Sequence, residues 1–281
     1  SSARTNLAGS NPTCVPRGGG REGVAAAGKR EGRACCSLPG GSTASEAYGI
    51  SDDGSIVAGG SNSASGGEAF RWTSGDGMQG LGELPGGSHI SLAYGISADG
   101  SAIVGYSGSS SAPSWGYEAF LWTASTSMTG LGDLSGGTFH SEAWGVSSDG
   151  SAVAGRGSGP STQAFRWTGA GGMVGLGDLP GSISHSWAYG MSDDGATVVG
   201  GSYSSLGRES FRWSQADGMV PLGDLPGGTT DSAAYGVSGD GSTIVGYGRT
   251  TGGEAAYLWT QAGGMQELST LLSDGGVDLS G

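Results

Sequence analysis

Short apolar runs recur along the chain in sets of four, each run ended by a glycine-containing turn. In the first set, Ala47-Tyr48-Gly49-Ile50 leads into Asp53-Gly54, a pair that supplies the positive backbone angles of a tight hairpin turn. Ile56-Val57-Ala58-Gly59 follows, with β-branched side chains that suit a pleated surface. Ala69-Phe70-Arg71-Trp72-Thr73 is the third run, and the fourth starts at Gly77-Met78 and ends at a Leu-Pro-Gly-Gly break. The pattern predicts four short strands joined by turns.

The set repeats. Ser-x-Ala-[Tyr/Trp]-Gly-[Ile/Val/Met]-Ser-x-Asp-Gly occurs five times, with its central glycine at Gly49, Gly95, Gly145, Gly190 and Gly236. A tryptophan marks the third run of each set, at Trp72, Trp122, Trp167, Trp213 and Trp259. Leu-Gly-[Asp/Glu]-Leu-[Pro/Ser]-Gly closes the first four sets, from Leu81, Leu131, Leu176 and Leu222, and the fifth departs from it after Leu268. Four antiparallel strands in a repeat of about 46 residues predict an all-β chain, a β-propeller of five four-stranded blades. A stacked solenoid is the competing architecture, but its coils are usually shorter. The recurring Trp and Tyr are assigned to packing between blades.

These motifs resemble the HAF repeat, a family of bacterial extracellular repeat proteins. The likeness is carried by Gly-Leu-Gly-Asp-Leu-Pro-Gly-Gly, Ala-Tyr-Gly-Ile-Ser-x-Asp-Gly and Ala-Phe-Arg-Trp-Thr, and it covers about Ser37 to Leu272. It implies a propeller-like fold and a secreted or cell-surface location. It brings no reaction and no catalytic residues.

Composition separates residues 1–36 from the rest. They hold Cys14, Cys35 and Cys36 and the only lysine, Lys29, and with six basic against two acidic residues they form a basic arm. The whole chain carries a formal charge of −13, so residues 37–281 are strongly acidic. The arm has too few large apolar side chains to offset the entropy of ordering, and is expected to be an irregular leader or a self-association segment. Cys35 and Cys36 are adjacent and do not easily pair with each other; Cys14 could join either. Residues 37–281 are expected to form one propeller domain. An acidic chain makes a poor nucleic-acid partner, and no apolar run approaches the ~18 residues of a membrane span.

Chemistry-bearing residues concentrate at one end of the predicted blades. The spacing from each tryptophan to the next set's glycine is 23 residues throughout, whereas the spacing from glycine to tryptophan within a set ranges from 22 to 27. Length therefore varies between the second and third strands. In an up-and-down blade that loop shares a face with the connection to the next blade, which holds His89, His140 and His185. Trp115, Tyr117, Tyr203 and Arg208 lie in or beside the variable loops and are candidate ligand contacts, since aromatic faces stack on sugar rings and polar neighbours fix orientation. His140, His185 and Asp231 share one repeat position, five residues before the glycine, and are candidate ligands for a divalent metal such as Zn²⁺. No Gly-x-Ser-x-Gly, His-Glu-x-x-His or Asp-x-Asp-x-Asp-Gly motif occurs. Three readings follow: a secreted binding or adhesion module for an extracellular glycan or protein, a structural subunit that assembles through the arm, and a metal-assisted extracellular hydrolase.

Overall fold

A computed structural model describes residues 37–42, 44–112, 116–181 and 185–277. The expectations for the arm, including its cysteines, and for Trp115 lie outside the described residues.

The chain folds into five four-stranded antiparallel sheets, each with its strands in sequence order, and is a five-bladed β-propeller. Blade 1 comprises β1 (Ser45–Ile50), β2 (Ile56–Asn62), β3 (Gly67–Thr73) and β4 (Gly77–Gly80). Blade 2 comprises β5 (Ser91–Ile96), β6 (Ala102–Ser107), β7 (Glu118–Thr123) and β8 (Ser127–Gly130). Blade 3 comprises β9 (Ser141–Val146), β10 (Ala152–Ser158), β11 (Thr162–Thr168) and β12 (Gly172–Gly175). Blade 4 comprises β13 (Ser186–Met191), β14 (Thr197–Tyr203), β15 (Arg208–Ser214) and β16 (Gly218–Pro221). Blade 5 comprises β17 (Ala233–Val237), β18 (Thr243–Thr250), β19 (Gly253–Thr260) and β20 (Gly264–Glu267), and a short helix, α1 (Leu268–Asp274), replaces the turn that ends the other blades. No described helix is long and apolar enough to cross a membrane.

Register explains the motifs. In blade 3, Trp167 pairs with Val153 on one side and Met173 on the other, so a β-branched residue, an indole and a thioether lie in one row across the sheet. Ile103, Trp122 and Met128 repeat the row in blade 2, and Ile244, Trp259 and Met265 in blade 5. Phe165 stands between Gly155 and Gly175, which leave room for a fully buried ring. A bulge in the first strand, between Ala143 and Gly145 in blade 3, brings its backbone close to the glycine of the second.

The core lies between blades. At the junction of blades 1 and 2, Ala58, Ala69, Leu81 and Leu84 meet Ala93, Ile103 and Phe120, with Trp122 and Met128 alongside. The next three junctions repeat this set. The recurring tryptophans therefore pack between blades, as the sequence suggests. First strands of consecutive blades touch, from β1 and β5 through to β13 and β17, so they form the inner rim.

Candidate functional site

Two positions in each blade lie near the inner rim at the loop-rich end. One is the second residue of the first strand in blades 1 to 4, and the other follows the bulge glycine of the second strand. Their registers pair them as Glu46 with Gly60, Leu92 with Tyr106, Glu142 with Arg156, Trp187 with Gly201 and Ala233 with Tyr247. Two residues further along the first strand stand Tyr48, Tyr94, Trp144, Tyr189 and Tyr235. Strand alternation puts these aromatics on the same side as the paired positions.

The result is a file of rings. Tyr48 meets Tyr94 at 5.3 Å between centroids, Tyr94 meets Tyr106 at 5.8 Å, and Tyr106 meets Tyr117 at 4.6 Å. Tyr117 then meets the His140 ring at 5.5 Å. A second stretch runs from Trp144 to Tyr189 at 5.2 Å, to Tyr235 at 5.3 Å and to Tyr247 at 5.9 Å. Arg156 joins the two stretches: its guanidinium lies 5.6 Å over the Trp144 ring and within 3.4 Å of His140 Nε2.

Glu142 anchors the first stretch, accepting from Arg156 at 2.6 Å and pairing with His140 Nε2 at 2.9 Å. Burial pushes its carboxyl up, but the hydrogen bonds from His140 and Arg156 outweigh that and hold it below the usual range. In the second stretch Arg208 lies 5.7 Å over the Trp187 ring and 5.8 Å over Tyr247, and donates to the hydroxyls of Tyr247 at 3.0 Å and Tyr189 at 3.3 Å. Tyr247 donates onward to Asp231 at 3.1 Å, and Arg249 donates to the same carboxylate at 3.2 Å. Burial pushes the Tyr247 hydroxyl up to about 12 and Tyr106 likewise to about 12, so both stay protonated donors. Arg156 Nε and Arg208 Nε are buried and have no hydrogen-bond partner among the described residues. Both guanidiniums thus lie on an aromatic face with a donor to spare.

The candidate contacts are distributed along this file. Tyr117 sits against His140; Tyr203 and Arg208 both meet Trp187, with Tyr203 at 5.9 Å between centroids. Trp115 lies outside the described residues. His140, His185 and Asp231 occupy equivalent places but different surroundings: His140 is held by Glu142, His185 lies 6.1 Å from the Trp187 ring, and Asp231 is held by Arg249 and Tyr247. Among the described residues no group of three or more His, Cys, Asp or Glu side chains is placed to hold a metal ion. Equivalent positions on a ring share a radius without converging, and these three are spread over successive blades.

Sequence reasoning missed Glu142, Arg156, Trp187 and Tyr247. The signal was available in the repeat itself, because the residue after the bulge glycine is Gly60, Tyr106, Arg156, Gly201 or Tyr247 while its neighbours hardly change. The first-strand Tyr and Trp were assigned to packing between blades, and they do touch from blade to blade, but along the inner rim rather than inside the junction cores.

The fold is similar to that of TolB from Acinetobacter baumannii, with a TM-score of 0.51 and 14% identity over 77% of this chain and 53% of that one. It is similar also to a putative TolB from Agrobacterium tumefaciens, with a TM-score of 0.53 and 14% identity over 80% of each chain. The chain spans about half the length of the Acinetobacter protein. No protein family and no curated protein matches the sequence.

Proposed function

We propose that this chain is a binding propeller of the cell surface or extracellular space, and that its axial mouth holds a glycan. The observation that carries this reading is the laying of Arg156 over Trp144 and of Arg208 over Trp187 and Tyr247, beside two files of aromatic rings that Arg156 joins. A pyranose ring presents an apolar C–H face that stacks on such rings, while its hydroxyls and any carboxylate accept from guanidinium and phenol donors. Arg208 is the favoured contact, since its partners are rings and neutral hydroxyls, whereas Arg156 is paired with Glu142. The resemblance of the repeat to the HAF family supports the location.

The test is an array of neutral and uronic-acid-containing oligosaccharides probed with the full chain, followed by calorimetric titration of any hit. Trp187→Ala and Arg208→Lys are expected to weaken binding tenfold or more without changing the melting temperature. An array without hits, or a hit that both variants bind as tightly as the parent, overturns the reading.

A further inference from the structure

The four blade junctions are built alike, and half of a fifth junction stands at each end of the array. The leaving face of a blade carries one residue from its second strand, one from its third and two leucines after its fourth. Blade 5 has this face uncovered. Val245 is 44% exposed, whereas Ala58, Val104, Ala154 and Val199 at the same position are wholly buried. Ala256 is exposed, where Ala69, Ala119, Ala164 and Ser210 are wholly buried. Leu268 and Leu271 keep the spacing of Leu81 and Leu84 but are only half-buried. An apolar groove of about 420 Å³ runs here, lined by Tyr235, Val245, Ala256, Tyr257 and Leu268 among others.

Blade 1 shows the complementary defect. Its arriving face exposes Ala47, whose equivalents Ala93, Ala143, Ala188 and Ala234 are wholly buried, and Ile50, which is 61% exposed. Ser45 is exposed as well, although its equivalents Ser91, Ser141, Ser186 and Ser232 are buried and accept an amide of the preceding blade. One element of the junction is present. The Leu38 amide donates to Ser61 Oγ at 3.0 Å, as Leu84 does to Ser107 at 3.0 Å, and Leu38 packs on Phe70 in the place of a preceding blade's second leucine.

We propose that the join between blades 5 and 1 is the docking site of one further four-stranded blade of this same repeat. Its arriving face, with Ala, a β-branched residue, Phe, Trp and Met, covers Val245, Ala256, Leu268 and Leu271. Its leaving face covers Ala47 and Ile50. Both faces continue an interface that the chain already makes four times. A second copy of this chain fits less well, because its blade 5 would bring Leu271 to the place Leu38 already fills. The docked blade also sets a sixth aromatic between Tyr235 and Tyr48, which are 53% and 46% exposed, and so completes the rim of the axial mouth.

The test fuses a copy of residues 141–178, the four strands of blade 3 with Leu176 but without Leu179, whose place Leu38 already fills, after Val277, which keeps the register in which Ser91 follows Gly80. The fusion is expected to melt several degrees higher than the parent, to bind less anilinonaphthalene sulfonate, and to protect β1 and β18 amides from exchange as well as β5 and β14. The same fusion with Phe165→Asp in the added copy alone is expected to lose all three effects. A fusion without them, or a control that keeps them, overturns the proposal. Sedimentation of the parent chain tests the other occupant: concentration-dependent dimers abolished by Val245→Asp overturn it in favour of a second copy. Should the fusion aggregate, the parent decides. Val245→Asp is expected to leave its melting temperature nearly unchanged and Val199→Asp to lower it steeply; equal losses mean that the blade 5 face is already covered and overturn the proposal.

Discussion

The Tyr257 hydroxyl donates to Ser210 Oγ at 2.8 Å across the junction of blades 4 and 5. Both residues break the repeat, and they break it together. Tyr257 stands where the other blades have Phe70, Phe120, Phe165 and Phe211, and Ser210 stands where they have Ala69, Ala119 and Ala164. A buried phenol without a partner would be costly, and the serine supplies one. Burial also pushes the Tyr257 hydroxyl well above its usual range, so it remains a donor.

The pair is therefore expected to behave as one unit in a double-mutant cycle. Tyr257→Phe leaves the Ser210 hydroxyl buried without its donor, and Ser210→Ala strands the phenol; each is expected to cost about 1–3 kcal/mol. The double variant restores the Phe and Ala of the other junctions and is expected to lose less than the two singles together. Urea unfolding of the four proteins measures this, and strict additivity would mean that the hydrogen bond is not shared.

A second hydroxyl joins every described junction. Ser141 Oγ accepts the Ala119 amide at 2.9 Å while donating to the carbonyl of Gly132, so one side chain ties blade 3 to two points on blade 2. Ser141→Ala leaves a buried amide without a partner and is expected to destabilise by about 1–3 kcal/mol. The equivalent change in blade 1, Ser45→Ala, is expected to fall within about 0.5 kcal/mol, because that serine is exposed. Chemical denaturation of the two variants checks the difference.

The Asp-Gly turns are expected to make the fold sensitive to acid. Asp53 accepts from the Ser55 amide at 2.9 Å and the Ser51 hydroxyl at 2.7 Å, and these bonds, the amide's first, hold its carboxyl down at about 2. Asp149 is held at about 2 chiefly by the Ser151 amide, and Asp240 at about 2 chiefly by the Ser238 hydroxyl. A carboxyl depressed in the folded state binds its proton more readily in the unfolded chain. Its stabilisation is therefore present above the unfolded value of about 3.9 and is lost as pH falls from there through about 2. Asp133 and Asp224, raised chiefly by burial, act in the opposite sense. The melting temperature is expected to fall steeply between about pH 4 and pH 2, and less steeply in Asp53→Asn combined with Asp149→Asn. An unchanged slope in that variant would locate the acid sensitivity elsewhere.

Much of this was legible in the sequence, because the repeat writes its backbone chemistry five times. Asp-Gly marks the hairpin, Gly-Met the entry to the fourth strand, and the β-branched residue, Trp and Met form one row across the sheet. Tyr117, Tyr203 and Arg208 could be placed near one mouth because loop length varies only there. Arg156 and Glu142 were not visible as partners, since they lie in different strands and their facing depends on the bulge between Ala143 and Gly145. The metal reading of His140, His185 and Asp231 rests on equivalent repeat position, which does not by itself specify how far apart the side chains lie. The exposure of Ala47 and Val245 could not be read either, because their sequence contexts match those of buried residues.

The bulge glycines give the sharpest test of the packing. A Cβ built on Gly155 would lie 1.9 Å from the Glu142 carbonyl oxygen and 2.9 Å from Ala143 Cα, both backbone atoms of the neighbouring strand. Neither can swing aside as a side chain could, so the two strands must separate or the bulge must be lost. Gly155→Ala would also disturb the register that sets Arg156 opposite Glu142. Overpacking of this kind costs about 1–3 kcal/mol or more. Gly67 provides the control. It too lies in a strand, β3, but a Cβ there meets nothing within 4 Å. Gly67→Ala is expected to be neutral or to stabilise by up to about 1 kcal/mol through the loss of freedom in the unfolded chain. Denaturation midpoints of the two variants decide the matter: a Gly155→Ala protein as stable as the parent would mean that β9 and β10 are not held as closely as this structure has them.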